Sequence, residues 1–244
     1  MQDLKNKIVL VVGGGSGIGL GIGEAFASED AKVILSSRTQ SSLDAARELP
    51  EVGPRFLTHA VDATNREQVA ELVDWTEANA GPIDVLVYSA GLNVPNRLFE
   101  NHDPVQFDEV INVNATGFFN CLQSALPGMR QRKSELVLNI VSIAGLRNLK
   151  LAGVSYCASK FAQSSLGLFG NLEVLDDGVA ITNIYPGETN TPLVDKRPTP
   201  PPAEQRAQMV HPEDIAAMAV AIAKLPPRAT VPEIVITPRH MPLN

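Results

Sequence analysis

Residues 7–19 read KIVLVVGGGSGIG and carry the strongest indication of the fold. The aliphatic run from Ile8 to Val12 is typical of a strand that is buried on both faces. Glycines follow at Gly13, Gly17 and Gly19, in the spacing Gly-x-x-x-Gly-x-Gly. Glycines let the backbone turn sharply and come close to a pyrophosphate at the N-terminus of the next helix. The stretch therefore predicts a strand, a tight turn and a helix that together bind a dinucleotide.

The same kind of apolar run recurs along the chain, separated by segments long enough for helices. The seven runs are Lys7 to Val12, Ala31 to Ser36, Phe56 to Val61, Ile83 to Tyr88, Leu136 to Ser142, Ala180 to Tyr185 and Pro232 to Thr237. Their nearly continuous apolar character is what a sheet covered on both faces requires. We expect an α/β, single-domain Rossmann fold over residues 1–244, with a doubly wound, seven-stranded parallel sheet flanked by helices.

Composition and charge argue against several other classes of function. The formal net charge of −7 repels a phosphate backbone, so we expect no nucleic-acid partner. The longest apolar run, Ile215 to Ala223, is far shorter than the ~20 residues that span a bilayer. With no secretory signal before the first strand either, we expect no membrane partner and a cytoplasmic location. Cys121 and Cys157 form no Cys-x-x-Cys pair and the histidines are scattered, so no metal site is predicted.

The end of the second predicted strand indicates which dinucleotide is bound. An NAD-binding protein usually places Asp or Glu there, against the ribose 2′-hydroxyl. This chain has Ser36-Ser37-Arg38 instead. A small hydroxyl side chain followed by an arginine can hold a 2′-phosphate through charge-assisted hydrogen bonds, whereas a carboxylate would repel it. We therefore expect NADP(H), with Ser37 and Arg38 at the phosphate.

One segment interrupts the alternation of strands and helices. Residues 188–208 contain five prolines and follow the sixth predicted strand. Long irregular segments in compact domains are usually functional or disordered. We expect a long loop here, which forms a mobile lid over residues 188–210 and orders over cofactor and substrate.

Tyr156 and Lys160 form a candidate pair for proton transfer. Their i, i+4 separation places both side chains on one face of a predicted helix. A tyrosine needs a nearby positive charge to act as a general acid or base near neutral pH, because its ordinary pKa is about 10. A lysine charge ~4 Å away would lower that pKa by roughly three units at an effective dielectric of ~20.

Together these features resemble the short-chain dehydrogenase/reductase family, and the likeness extends over residues 7–236. The segments that carry it are Val12 to Gly19, Asp62-Ala63, Tyr88 to Gly91, Asn112 to Asn114, Val141 to Gly145, Tyr156 to Lys160, Pro186-Gly187, Thr191 and His211 to Ala216. Two positions depart from the family pattern. Val12 replaces a threonine, which removes a structural hydroxyl, and Tyr88-Ser89 replaces two asparagines that brace the sheet. We expect the second departure to affect stability more than chemistry.

The resemblance implies roles for four catalytic residues. Tyr156 would give a proton to the carbonyl that is reduced, and Ser142 would orient and polarise that carbonyl. Lys160 would lower the pKa of Tyr156 and hold the nicotinamide ribose, while Asn114 would anchor a water that relays protons to Lys160. These groups meet the need to stabilise, and then protonate, the alkoxide that hydride transfer creates.

The motifs and the resemblance together give the residues expected to contact the cofactor. They are Gly13, Gly15, Ser16, Gly17, Ile18, Gly19, Ser37, Arg38, Asp62, Ala63, Ser89, Ala90, Gly91, Tyr156, Lys160, Pro186, Gly187 and Thr191. We expect an NADP-dependent oxidoreductase that transfers a hydride between nicotinamide and a ketone, 3-oxoacyl or 3-hydroxy acid substrate. The alternative is a catalytically idle, NADP-binding protein that senses redox state on the same fold.

The sequence indicates the character of the substrate pocket and the oligomeric state of the protein. Leu92 to Pro95, Leu146 to Leu151 and the proline-rich segment should line a largely apolar substrate pocket without a charged clamp. Pro238-Arg239-His240 is similar to the branch that contains NADP-dependent 3-hydroxy acid dehydrogenases. The resemblance also implies a homodimer or homotetramer, formed through long helices that correspond to Asp103 to Leu126 and Ser155 to Leu175.

Overall fold

The structure, a computed structural model, describes residues 2–133 and 135–241. The strands are β1 (Ile8–Val12), β2 (Lys32–Ser37), β3 (Leu57–Ala60), β4 (Val85–Tyr88), β5 (Leu136–Ile140), β6 (Ala180–Pro186) and β7 (Glu233–Ile236). The helices are α1 (Gly17–Ser28), α2 (Gln40–Arg47), α3 (Arg66–Asn79), α4 (Pro104–Ile111), α5 (Gly117–Arg132), α6 (Val154–Glu173), α7 (Ala203–Arg206) and α8 (Pro212–Ala223).

The seven strands form one parallel sheet in the order β3-β2-β1-β4-β5-β6-β7. The strand order reverses between β1 and β4, so that the connecting helices cover both faces of the sheet. This arrangement confirms the predicted doubly wound α/β Rossmann fold with a seven-stranded parallel sheet.

Alternate residues of the strands pack into two separate apolar cores, one on each face of the sheet. In β1, Val9 and Val11 pack in the core that contains α1 and α8. Leu10 and Val12 pack in the opposite core, which contains residues of α3 and α5. All five residues of β1 are buried. The apolar run in the sequence is continuous because neither face of this strand meets solvent.

The helix expected over Asp103 to Leu126 is divided in the structure. α4 ends at Ile111, one π-helical turn covers Asn112–Thr116, and α5 follows directly. Asp103 lies before α4 and caps it by accepting a hydrogen bond from the backbone N–H of Val105. Turns of π-helix are rare and are frequently found at functional sites. This one carries Asn114.

The segment expected to be a long loop, residues 188–208, contains two short helices. One is a 3₁₀ helix over Pro192–Lys196, and the other is α7. A parallel bridge between Thr189 and Val210 joins the two ends of the segment. The expectation of an irregular loop is therefore wrong in part, because proline has the φ angle of a first helical turn and begins the 3₁₀ helix at Pro192. That the segment moves as a lid stays a prediction.

The middle of α6 lies very close to β5 and β6. A Cβ atom at Gly167 would lie 2.1 Å from Oδ1 of Asn183 and 2.9 Å from Nδ2 of Asn139. These two amide side chains are hydrogen-bonded to each other across the strands, at 2.8 Å. A side chain at position 167 would therefore push α6 away from this pair.

We predict that Gly167→Ala lowers the free energy of unfolding by about 1–3 kcal/mol, the usual cost of overpacking a core. Gly128→Ala in α5 is the matched control, since its Cβ would meet only the ends of the Arg132 and Glu77 side chains, at 3.2 and 3.3 Å. The control should be neutral or stabilise by up to ~1 kcal/mol, through helix propensity. Chemical denaturation measures both values. Equal stability of Gly167→Ala and the wild type would contradict the tight contact.

Candidate active site

A cleft of about 690 Å³ opens beside the carboxyl ends of the strands, where the strand order reverses. It brings together nearly all of the residues selected from the sequence. Those that line it are Gly13, Gly15, Ser16, Gly17, Ile18, Ser37, Arg38, Asp62, Ala63, Ser89, Ala90, Gly91, Ser142, Tyr156, Lys160, Pro186, Gly187 and Thr191. Gly19 and Asn114 do not line the cleft; both lie behind its wall.

The glycine turn between β1 and α1 forms one wall of the cleft. Gly13 has a φ of 87°, and a Cβ atom there would lie 2.3 Å from the backbone nitrogen of Ala90. A Cβ atom at Gly19 would lie 2.2 Å from the carbonyl oxygen of Gly13. The turn therefore packs closely against the end of β4. The first N–H groups of α1 have no partner within the helix, and such groups can bind a phosphate.

The ends of β2 and β3 supply polar groups at the other end of the cleft. The hydroxyl of Ser37 lies 3.0 Å from the hydroxyl of Ser42, and Arg38 is exposed beside it. Oδ1 of Asp62 accepts hydrogen bonds from the backbone N–H and the hydroxyl of Thr64, at 2.9 and 2.8 Å. The Asp62 carboxylate is thus held in place by the turn that follows it.

Ser142, Tyr156 and Lys160 come together at the cleft wall. Ser142 follows the end of β5, and its hydroxyl accepts a hydrogen bond from the backbone N–H of Ala144. Tyr156 lies in the first turn of α6, with its phenol close to the Ser142 side chain. Lys160 lies one turn further along, with Nζ 5.6 Å from the centre of the Tyr156 ring. The strand end and the helix start therefore present a hydroxyl, a phenol and an amine to one space.

Asn114 is fully buried in the π-helical turn and supports the site from behind. Its Oδ1 accepts from the backbone N–H of Leu92 at 2.7 Å, and its Nδ2 donates to the carbonyl of Leu92 at 3.0 Å. The same Nδ2 donates to the Ser159 hydroxyl at 2.8 Å, which in turn donates to the carbonyl of Tyr156. Asn114 thus joins the segment after β4 to the first turn of α6.

Across residues 2–133 and 135–241, no group of three or more His, Cys, Asp or Glu side chains could hold a metal ion, and no helix is long and apolar enough to cross a membrane. Cys121 and Cys157 are free and buried.

A family model described as short chain dehydrogenase matches residues 7–201 of the chain. An uncharacterized oxidoreductase of Staphylococcus saprophyticus is 34% identical over 240 residues, which cover 98% of this chain and 100% of the relative. The chain belongs to the short-chain dehydrogenase/reductase family. It is therefore an oxidoreductase of this family.

Solved structures of short-chain dehydrogenases/reductases have closely similar backbones. The closed form of a serine dehydrogenase complexed with NADP⁺ has a TM-score of 0.88 at 26% identity, over 96% of each chain. An alcohol dehydrogenase from the archaeon Thermococcus sibiricus, complexed with 5-hydroxy-NADP, has a TM-score of 0.86 at 25% identity, over 98% of this chain and 99% of its own.

Burial shifts the pKa values of Tyr156 and Lys160 in opposite directions. Loss of hydration raises the pKa of Tyr156 to about 12, against opposing effects of the Ser142 side chain and the Arg97 charge. Loss of hydration lowers the pKa of Lys160 to about 7. The expected lowering of the Tyr156 pKa by Lys160 is therefore not what this arrangement gives. The Lys160 amine is itself buried, and its strongest hydrogen bond goes to Gln163.

Gln163 is a site residue that sequence reasoning missed. Its Oε1 accepts from Nζ of Lys160 at 2.6 Å, and its Nε2 donates to Oδ1 of Asn139 at 2.6 Å. Gln163 therefore positions the lysine from one turn away and ties it to β5. Two signals were available: the i, i+3 spacing of Lys160 and Gln163, and a polar Asn139 inside an otherwise apolar strand.

Arg97 is the second residue that was missed. It lines the cleft, yet only 7% of its surface is exposed. Its charge acts on Tyr156, where it lowers the pKa. The cleft is largely apolar, as expected, but the expectation that it has no charged clamp overlooked this buried guanidinium. The sequence gave little indication of this residue, because Arg97 belongs to no recognisable motif.

We predict a pH-dependent contribution of Lys160 to stability. Between pH 7 and 10.5 the unfolded chain binds more protons at this position than the folded chain, so the wild type gains stability as pH rises across that window. Lys160→Met removes this gain. The difference in unfolding free energy between wild type and variant should move by about 2 kcal/mol in favour of the wild type from pH 7 to pH 9.

Urea denaturation at the two pH values measures this difference. Lys32→Met, at an exposed position, is the control and should show no such change. A wild-type-to-variant difference that does not vary with pH would mean that the Lys160 amine is hydrated in the folded protein.

Proposed function

We propose that this chain is an NADP-dependent oxidoreductase that transfers a hydride between nicotinamide and a ketone or secondary alcohol. The observation that carries the proposal is the meeting of Ser142, Tyr156 and Lys160 in the cleft that the glycine turn also lines. A phenol close to a hydroxyl is suited to giving a proton to an oxygen on which negative charge develops.

The cleft residues fit NADP(H). The glycine turn leaves room that side chains would fill: a Cβ atom at Gly15, for example, would lie 2.3 Å from the Ser42 hydroxyl. Arg38 and the hydroxyl of Ser37 can hold a 2′-phosphate, and the residues directly after β2, Arg38 and Thr39, carry no carboxylate that would repel it. The NADP⁺ complexes of related structures support this choice of cofactor. When bound, the nicotinamide supplies or accepts the hydride.

The proton steps are assigned to residues of this chain. With a pKa of about 12, Tyr156 keeps its proton at neutral pH and can donate it to the substrate oxygen as the carbonyl carbon accepts the hydride. The Ser142 hydroxyl orients the same oxygen. Lys160, with a pKa of about 7, can take up and release a proton near neutral pH, one helical turn from Tyr156.

We also propose that the protein forms a homodimer or homotetramer. Helices α4 and α6 expose large apolar side chains, among them Val105 at 73%, Phe169 at 66% and Leu172 at 73% exposure. Apolar surface of this kind is typical of a face that pairs with another copy of the chain.

Tyr156→Phe should keep the fold and the NADPH affinity but lower kcat by about 10² to 10⁴, because it removes a general acid. The measurement is NADPH consumption across a panel of ketones and oxo acids, repeated in the oxidation direction with alcohols. Tyr88→Phe, which removes a phenol outside the cleft, should keep turnover even where it costs stability. Near-normal turnover by Tyr156→Phe would exclude the phenol from the mechanism. A wild type that binds NADPH but turns over nothing would favour the idle, redox-sensing alternative.

NADPH should bind at least about tenfold more tightly than NADH, which corresponds to ~1.4 kcal/mol. Arg38→Asp should reverse this preference, because it replaces an attraction for the 2′-phosphate with a repulsion. Fluorescence titration with both cofactors measures the ratio. Arg228→Asp makes the same charge change at an exposed site outside the cleft and should leave the ratio unaltered. Equal affinities in the wild type would remove the phosphate-binding role of Arg38.

A further inference from the structure

Arg97 lies in the segment between β4 and α4, and its guanidinium is built into the cleft wall. Nε donates to the carbonyl of Val94 at 2.8 Å, Nη1 to the carbonyl of Leu151 at 2.6 Å, and Nη2 to the carbonyl of Lys196 at 3.0 Å. A guanidinium has five N–H donors, and these three bonds leave one on each terminal nitrogen. Two donors on adjacent nitrogens match the two oxygens of one carboxylate.

The backbone of Arg97 is fixed relative to the helix that carries Tyr156. Its carbonyl accepts from the backbone N–H of Val154, the first residue of α6, at 2.9 Å. Gly153 has a φ of 88°, and a Cβ atom there would lie 2.5 Å from Cβ of Arg97. The contact is so close that position 153 must be glycine. Arg97 and Tyr156 are therefore held in a constant relation on the same side of the cleft.

The charge of Arg97 lacks a carboxylate partner. Among residues 2–133 and 135–241, no acidic side chain lies within ion-pair distance of its guanidinium, whereas the neighbouring Arg197 is paired with Glu188 at 3.1 Å. Burial, and then the Arg197 charge, lowers the pKa of Arg97. A buried charge is costly unless it is paired, and three neutral carbonyls compensate only part of that cost.

We propose that Arg97 binds the carboxylate of the substrate, so that the substrate is a small oxo acid or the corresponding hydroxy acid. This inference rests on the proposed function, in which the substrate carbonyl faces Tyr156 and Ser142. Arg97 then binds the carboxylate at the other end of the same substrate molecule. The carbonyl carbon accepts the hydride, the carbonyl oxygen takes the proton of Tyr156, and the carboxylate, unchanged in the reaction, pairs with Arg97. The nicotinamide becomes oxidised as the oxo acid becomes a hydroxy acid.

The competing explanation is that Arg97 only ties together the three backbone segments that end at its guanidinium. The two roles predict different outcomes for pairs of substrates of which one carries a carboxylate and the other its neutral methyl ester. Suitable ketones are 2-oxobutyrate, 3-oxobutyrate and 4-oxopentanoate, each beside its methyl ester, with NADPH as the reductant. A structural tie treats acid and ester alike, whereas a carboxylate-binding residue favours the acid.

The wild type should reduce at least one of the acids with a kcat/KM about tenfold or more above that of its ester. Butanoate, but not butanamide, should protect the NADP⁺-loaded protein against thermal unfolding, which tests the anion site without turnover. Esters reduced as well as the acids would overturn the Arg97 assignment and leave the proposed oxidoreductase activity standing. No turnover of any ketone, with butanoate still protecting, would count against the proposed function and not against the anion site.

Arg97→Met should remove the preference for the acid, with a loss of about tenfold or more in kcat/KM for the acid and a much smaller loss for the ester. Arg228→Met makes the same substitution at an exposed position outside the cleft and should keep the preference. Equal losses for acid and ester in Arg97→Met would show a purely structural role.

NADPH affinity reports whether the Arg97→Met variant has folded. If Arg97→Met has not folded, Arg97→Lys decides between the two roles. Its ratio of kcat/KM for the acid to kcat/KM for the ester should fall several-fold below the wild-type ratio, and an unchanged ratio would overturn the proposal.

Discussion

Helix α6 is held against the sheet by hydrogen bonds between buried amide side chains, and the geometry of the site depends on them. Nε2 of Gln163 donates to Oδ1 of Asn139, whose Nδ2 donates to Oδ1 of Asn183. Nδ2 of Asn183 donates to the carbonyl of Ser164, which lies in α6. Every amide nitrogen and oxygen in this set has a partner. Buried polar groups that are fully paired allow one arrangement only, so α6 cannot slide along the strands without leaving several groups unpaired.

The same burial that fixes α6 also sets the protonation of its two reactive side chains. Nζ of Lys160 donates to Oε1 of Gln163 and to the carbonyl of Ile140, both of which are neutral. Neutral acceptors orient an ammonium group but compensate its lost hydration less than a carboxylate would, so its pKa falls. The phenol of Tyr156 is buried as well, and there the neutral form is the protonated one. A single desolvated site therefore keeps the proton on the tyrosine and lets the lysine titrate near neutral pH.

The sequence predicted the features that depend on local pattern and failed on those that depend on distant partners. The seven strands and the glycine turn were predictable, because burial on two faces demands continuous apolar runs and a close turn demands glycine. The pKa direction of Tyr156 was not, because spacing along a helix reveals neither burial nor the competing acceptor at Gln163. The role of Arg97 was not predictable for a similar reason, because its three carbonyl partners lie in separate parts of the chain. The helical turn at Pro192 was not predictable from the number of prolines, because proline both ends helices and begins them.

Tyr88 shows how this chain replaces the bracing that the family's asparagines provide. Its ring is buried at the end of β4, and its hydroxyl donates to the carbonyl of Val113, in the π-helical turn that carries Asn114. A Cβ atom at Gly117 would lie 2.3 Å from this hydroxyl, so the large side chain at 88 requires glycine at 117. From Asn114 the contacts continue through the Ser159 hydroxyl to the backbone of Tyr156. The unusual tyrosine thus anchors the central strand to the π-helical turn, while Asn114, through its own hydrogen bonds to Leu92 and Ser159, positions the first turn of α6.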